Sequence, residues 1–326
     1  MMPFMRQHSN LYCYKIFSLI LVVALGACGA IPERLEQKPF PLSHPTFFNT
    51  LEAYTSAPLL PGHKVDVLLN GDETFSAMLK SIRNAKKSIN FVTYVYWKGP
   101  IADEFAEALA ERARAGIPVN LLLDSQGAKA MEEKNVDLMK EAGVSLVWFR
   151  PLKWYKFPQY NFRSHRKVLI VDGEIGFTGG IGIGEEWAGN AEDSKHWRDT
   201  CIQVEGPVVH YFQAAFVENW MEATRAMLVG DLYFPPLKPV GEVKAQGIRS
   251  SPMESSSEVY MLYLLTIASA ERFLYITTAY FLPDTLLEDH LIHAVRRGVD
   301  VRVVVPGPHN DMGMLYELSR NGYGNF

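Results

Sequence analysis

The sequence has little cysteine, no basic excess and no apolar run long enough to cross a bilayer. Cysteine occurs at Cys13, Cys28 and Cys201 alone in 326 residues, too few for a disulfide framework, so the fold must rest on a packed core. The formal net charge is −4, and residues 1–27 contribute only Arg6 and Lys15 to it, so the remainder is more acidic still. An acidic chain is a poor electrostatic match for a phosphate backbone, which makes nucleic acid an unexpected partner unless a basic groove is gathered locally. No convincing metal-ligand cluster such as His-Glu-x-x-His occurs. What is present is ordinary: 48% hydrophobic and 21% charged residues, enough chain for one large domain or two smaller ones.

The apolar run Ile16–Ala27 spans about a dozen residues, short of a membrane span and suited to the core of an export signal. It ends in Leu25-Gly26-Ala27-Cys28, which resembles the bacterial lipobox. That resemblance implies a signal peptide over 1–27, lipid attachment at Cys28, and a lipid-anchored protein of the bacterial cell envelope facing the periplasm or the exterior. The alternative is an uncleaved signal anchor. With Cys13 removed and Cys28 lipidated, Cys201 has no intrachain partner.

Residues 28–62 contain Pro32, Pro39, Pro41, Pro45, Pro58 and Pro61 and read as a tether, with the folded part beginning near Val65. Strands are expected at 65–69, 89–95, 119–123, 144–149, 167–171 and 175–178, the last two joined by the Asp172-Gly173 turn. A helix capped by Asp72 is expected to reach about Lys87. A second carries Phe105, Ala108 and Leu109 and stops at Gly116. A third runs to about Ala142, and a fourth follows Pro207 with Phe212, Phe216 and Trp220. This first half, 63–228, is followed by a Pro-, Gly- and Ser-rich linker at 229–257 and by the start of a second half at 258–326.

The second half repeats the first. Ala85–Thr93 aligns with Ala270–Thr278, and Ala115–Leu123 aligns with Arg297–Val305 after a three-residue contraction. Each copy reads strand, helix ending in glycine, strand. Two unrelated βαβ units would show the same pattern, but the shared order and near-constant offset favour duplication. Carrying the separation between Gly116 and His165 over to Gly298 leads past Phe326, so the chain is expected to end before any second copy of the motif described next.

That motif lies in Arg163-Ser164-His165-Arg166-Lys167, followed by Asp172, Gly179 and Gly180. In an extended chain His165 and Lys167 share a face, placing a nucleophilic imidazole beside a cation that offsets charge developing on phosphoryl oxygens. Asp172, at the strand end, is placed to orient an imidazole. The glycines at 179, 180, 182 and 184 let backbone N–H groups approach a phosphate. The bland reading is an edge strand with a solvated His-Arg-Lys face.

The spacing His-x-Lys-x4-Asp-x6-Gly-Gly resembles the signature of the phospholipase D superfamily. Tyr96-Trp97-Lys98-Gly99, the run Gly180–Trp187, and His196-Trp197-Arg198-Asp199 before Val204-Glu205-Gly206-Pro207 resemble its cardiolipin synthase-like branch. The resemblance covers roughly residues 65–320 and implies an α/β fold. Two similar halves, each a mixed β-sheet flanked by helices, are expected, with the second half incomplete here. It further implies phosphatidyl transfer or phosphodiester hydrolysis on phospholipids through a phosphohistidine on His165, with Lys167 and Asp172 as catalytic partners. Gly179, Gly180, Arg198 and Asp199 are then expected at the phosphate, and a second histidine from the other motif protonates the leaving alcohol. His290, His293 and His309 lack the following Lys-x4-Asp and are not assigned that role. Family members usually carry asparagine where this chain has Gly182.

Tyr94 and Trp97 are expected in core packing, with a cleft lining as the alternative. The segment 148–162 interleaves aromatics with Arg150, Lys153 and Lys156, a composition suited either to a lipid headgroup interface or to a loop lying on the domain itself. Two other functional readings stay open: a one-motif nuclease or phosphodiesterase acting as a homodimer, and a non-catalytic lipid-binding envelope lipoprotein.

Overall fold

Strands that are apolar on both faces have no side to give to water and must lie inside a covered sheet. The computed structural model, which describes residues 41–151, 163–250, 257–308 and 313–325, has this character. The leader, Cys28 and residues 152–162 of the aromatic and basic segment lie outside the described residues.

The first half runs α1 (Phe47–Thr55), β1 (Leu59–Leu69), α2 (Asn70–Arg83), β2 (Ile89–Thr93), α3 (Pro100–Arg114) and β3 (Val119–Asp124). It continues through α4 (Glu133–Glu141), β4 (Ser145–Phe149), β5 (Val168–Val171), β6 (Ile175–Gly179), β7 (Thr200–Glu205) and α5 (Val209–Thr224). After β8 (Val243–Gln246) come α6 (Glu258–Ser269), β9 (Phe273–Thr277), α7 (Thr285–Arg296), β10 (Asp300–Val304) and α8 (Gly313–Gly322).

Strands β1 to β8 form one mixed sheet in the order β4-β3-β2-β5-β6-β7-β1-β8. The β2–β3–β4 side is parallel and the remaining pairings are antiparallel. All five residues of β2 and all six of β3 are buried. Alternation divides them between two cores: Phe91 and Leu121 pack with Phe75, Leu79, Phe105 and Leu109 of α2 and α3, while Val92 and Leu122 face Phe216 and Trp220 of α5. The expected mixed sheet flanked by helices is therefore observed.

The repeat extends to register. Ile89 pairs with Val119 in the first copy, and the aligned Leu274 pairs with Val301 in the second. The Thr93 hydroxyl donates to the Val95 carbonyl at 3.0 Å, as the Thr278 hydroxyl does to Tyr280, also at 3.0 Å. Both helices end on glycine with positive φ, +84° at Gly116 and +90° at Gly298.

Several boundaries differ from expectation. Folded structure begins well before Val65: α1 buries Phe47, Leu51 and Thr55 on one face, and Pro45 and Pro58 flank it rather than interrupt it. Pro61-Gly62 is a bulge within β1, between residues paired to β8, so proline sits where no ladder donor is required. Within 229–257, read as a linker, Val243–Gln246 forms the edge strand β8 on β1. Its four residues are too few to show a period, while the prolines stay outside it. Asp72 is not the cap of α2. It lies in the first turn and accepts from Asn190, while Glu73 accepts from the Leu69 backbone at 2.7 Å. That helix stops at Arg83, short of Lys87, because the amides of Lys86, Lys87 and Ser88 are bonded to Asp172 instead.

Candidate active site

Residues 163–167 lead into β5 in extended form, and their side chains alternate. Ser164 and Arg166 turn towards α5: the Ser164 hydroxyl lies 3.2 Å from Asn219 Oδ1, and Arg166 donates to the Ala215 carbonyl at 2.8 Å and pairs with Glu218. His165 and Lys167 turn the other way. The Lys167 ammonium lies 3.3 Å from His165 Nδ1 and 3.5 Å from Nε2, and donates to the His165 carbonyl at 3.2 Å. The His165 ring rests on Tyr94, centroids 4.6 Å apart, and Lys167 Nζ stands 5.6 Å above the same tyrosine. Tyr94 is thus the floor of the site rather than simple core packing.

Exposure separates the pair. His165 is exposed and Lys167 is 8% exposed. Burial pushes the Lys167 ammonium down to about 8, against the pull of Asp199. Asp199 is itself raised, first by burial, with hydrogen bonds and the Lys167 charge opposing. Its carboxylate accepts from Thr200 N at 2.7 Å, Gly180 N at 3.2 Å and Trp187 Nε1 at 3.3 Å. Trp187 belongs to a packed group with Trp97 and Trp197, with centroid separations of 4.7 to 6.3 Å. An exposed imidazole beside a buried cation, with a carboxylate behind that cation, is suited to attack on a phosphorus centre whose oxygens the ammonium receives.

The glycines have identifiable causes. A Cβ on Gly180 would stand 2.7 Å from the Asp199 carboxylate, and one on Gly179 would stand 2.6 Å from the Thr200 carbonyl. Gly180 therefore makes room for Asp199, and Gly179 lets β6 approach β7. At Gly182 a Cβ would meet Val95 Cβ at 2.7 Å and Trp187 at 3.1 Å, so the space beside Gly182 is filled by Val95 and Trp187.

Two expected site residues are placed elsewhere. Asp172 lies past the far end of β5 from His165, in a turn with φ of +57° followed by Gly173 at +70°. Its carboxylate accepts from the amides of Lys86, Lys87 and Ser88 at 2.7 to 3.1 Å. It therefore ties the lead-in of β2 to the β5–β6 hairpin and does not orient the imidazole. Arg198 is exposed, with its guanidinium on the Thr200 hydroxyl, and is not assembled with Lys167 and Asp199. Of the other histidines, His290 donates to the Leu286 carbonyl within α7 at 2.8 Å, and His309 lies outside the described residues. Sequence reading missed Asp124: buried at 1% exposure, it accepts from Ser164 N, immediately before His165, at 3.2 Å. An acid closing an apolar strand was its only signal. Among the described residues no group of three or more His, Cys, Asp or Glu side chains gathers into a metal-binding cluster.

The family model for the cardiolipin synthase PLD-like domain matches residues 78–220 and 263–325. The chain belongs to that family. It is 36% identical over 250 residues to cardiolipin synthase A of Pseudomonas syringae pv. syringae, covering 76% of this chain and 52% of that protein. It is 32% identical over 266 residues to cardiolipin synthase 1 of Bacillus cereus, covering 79% and 52%. The chain thus spans about half the length of these relatives, 52% in each case. Among solved structures, the phosphatidylserine synthase of Haemophilus influenzae superposes with a TM-score of 0.55 at 15% identity, over 79% of this chain and 66% of that one. That likeness establishes the fold.

Proposed function

We propose that this chain carries the nucleophile of a cardiolipin synthase-type phosphatidyltransferase acting on phospholipids. The observation that carries the proposal is the exposed His165 imidazole held 3.3 Å from the buried Lys167 ammonium, in a chain of this family. His165 attacks the phosphorus of a phospholipid, the P–N bond forms, and the bond to the headgroup oxygen breaks. Lys167 receives the non-bridging oxygens. The departing alkoxide takes its proton from an acid outside the His165, Lys167 and Asp199 group. The hydroxyl of a second lipid then attacks phosphorus, its proton passing to the conjugate base which that acid left behind, and the P–N bond breaks to release the imidazole. The relatives' names are those of lipid enzymes and the chain is acidic, so the nuclease and homodimer alternative is not carried further. Incubation of the purified protein with phosphatidylglycerol micelles tests this: free glycerol and a diphosphatidyl product are expected, and both are lost in His165→Ala. Product formation at the wild-type rate in a folded His165→Ala protein contradicts the proposal.

The envelope location extends the same proposal and rests on Leu25-Gly26-Ala27-Cys28 together with a lipid substrate. Acyl chains at Cys28 hold the enzyme at a membrane surface, with the 148–162 segment, rich in aromatic and basic residues, meeting headgroups. Fractionation and mass spectrometry of Cys28→Ala test it: loss of two-chain lipidation and release from membranes is the expected result. An unmodified Cys28 in a membrane-bound wild-type protein would leave the anchor without support.

A further inference from the structure

We infer that Asp124, the last residue of β3, is a positioning residue that holds His165 in place to react. The inference rests on the reading of His165 as the nucleophile. Residues 163–167 precede β5, so no strand ladder fixes the backbone at His165. On the β3 side a carboxylate fully inside the protein holds the residue before it. Asp124 Oδ2 accepts from Ser164 N at 3.2 Å, and Oδ1 accepts from Gln126 N at 2.9 Å and Gly127 N at 3.3 Å. Arg163 Nη1 stands 3.8 Å from Oδ1 while donating to the Arg150 carbonyl at 2.9 Å and to Ser125 Oγ at 3.0 Å.

A buried acid that merely closes a turn needs only the Gln126 and Gly127 amides. Here the second oxygen is directed across the fold to the residue before the nucleophile. The same turn also supports the ring beneath that nucleophile. Gly127 packs so closely that a Cβ would stand 2.2 Å from the Tyr94 carbonyl, and its own carbonyl accepts from Trp97 Nε1 at 2.9 Å. One turn therefore fixes both the backbone preceding His165 and the tyrosine under its imidazole. The second copy of the repeat has Ala279 and Pro306 at the positions aligned with Tyr94 and Asp124, so neither this tyrosine nor this acid is repeated there.

The test compares Asp124→Ala and Asp124→Asn in the full chain by three readouts. These are kcat and KM for phosphatidylglycerol micelles, hydrogen exchange at the Ser164 amide, and the rate at which diethyl pyrocarbonate modifies His165. A misplaced nucleophile costs on the order of 100-fold. Asp124→Ala is therefore expected to lose about that much in kcat, with KM little changed, faster Ser164 exchange and faster His165 modification. Asp124→Asn keeps an oxygen acceptor and loses the charge facing Arg163, so it falls between. If Asp124→Ala fails to fold, Asp124→Asn and Arg163→Met give the same comparison. Wild-type kcat together with a wild-type modification rate in a folded variant overturns the inference. Turnover surviving in His165→Ala instead removes the nucleophile reading, and the exchange and modification rates still decide whether Asp124 holds the segment.

Discussion

At Lys167 two surroundings act on one charge in opposite directions. Burial lowers its pKa to about 8 and the neighbouring Asp199 draws it up. A cation needed for phosphate binding is then lost as pH rises through about 8, so kcat/KM should fall there. Lys167→Arg, which keeps its charge, should not show that limb. Folding stability has the opposite sign. Between about 8 and the ordinary lysine value of 10.5 the unfolded chain holds a proton that the folded chain has released, so stability gains from rising pH across that window. Denaturation of wild type against Lys167→Met from pH 7 to 10 separates this contribution, and a wild-type stability that falls relative to the variant would contradict the assigned burial effect. Gly182 sets a second residue-level constraint. Asparagine there is expected to cost about 1 to 3 kcal/mol through overlap with Val95, and Val95→Ala to recover part of it in a double-mutant cycle. Additive effects in that cycle would mean that the two positions do not compete for the same space.

At the scale of elements, Asp172 joins the β5–β6 hairpin to the lead-in of β2. Replacing it with alanine removes an acceptor from three backbone donors, at a cost of about 2 kcal/mol after allowance for partial solvent access. Thermal unfolding should report that loss, while folded Asp172→Ala keeps most of its turnover. A stable but inactive variant would return Asp172 to the chemistry. The motif shows that a fixed spacing identifies a fold position as readily as a catalytic one. His165 and Lys167 were legible because the two-residue strand period puts both on one face. Asp172 was misread although the expected strand 167–171, at about 3.3 Å per residue, already carries it away from the imidazole. The buried strands Ile89–Thr93 and Val119–Asp124 and the Asp172-Gly173 turn were equally legible, being short runs rich in apolar residues and a positive-φ dipeptide. Helix Phe47–Thr55 and strand Val243–Gln246 were not, because proline and glycine were read as breaking elements that they only border. Asp124 and Ser164 are 40 residues apart and meet only through the sheet, so no local pattern could pair them.

At the scale of the whole molecule, the two copies of the repeat share strand register, the terminal glycine and the Thr93/Thr278 hydrogen bond. They part where the first copy builds its site, at Tyr94 and Asp124 against Ala279 and Pro306. The scaffold is thus common to both copies, while this tyrosine and this acid occur in the first alone. Tyr94→Ala is therefore expected to lower turnover about tenfold or more by freeing the imidazole, whereas Ala279→Tyr leaves it near wild type. Equal effects at the two positions would contradict this division. The central claim, that His165 carries the phosphatidyl group, is tested most directly by trapping that group. Wild-type protein is quenched during reaction with phosphorus-labelled phosphatidylglycerol and digested, and the peptides are mapped by mass spectrometry. An acid-labile phosphatidyl adduct on the peptide containing His165, absent in His165→Ala, is the expected result. Turnover with label on another residue, or with none on His165, would contradict the account.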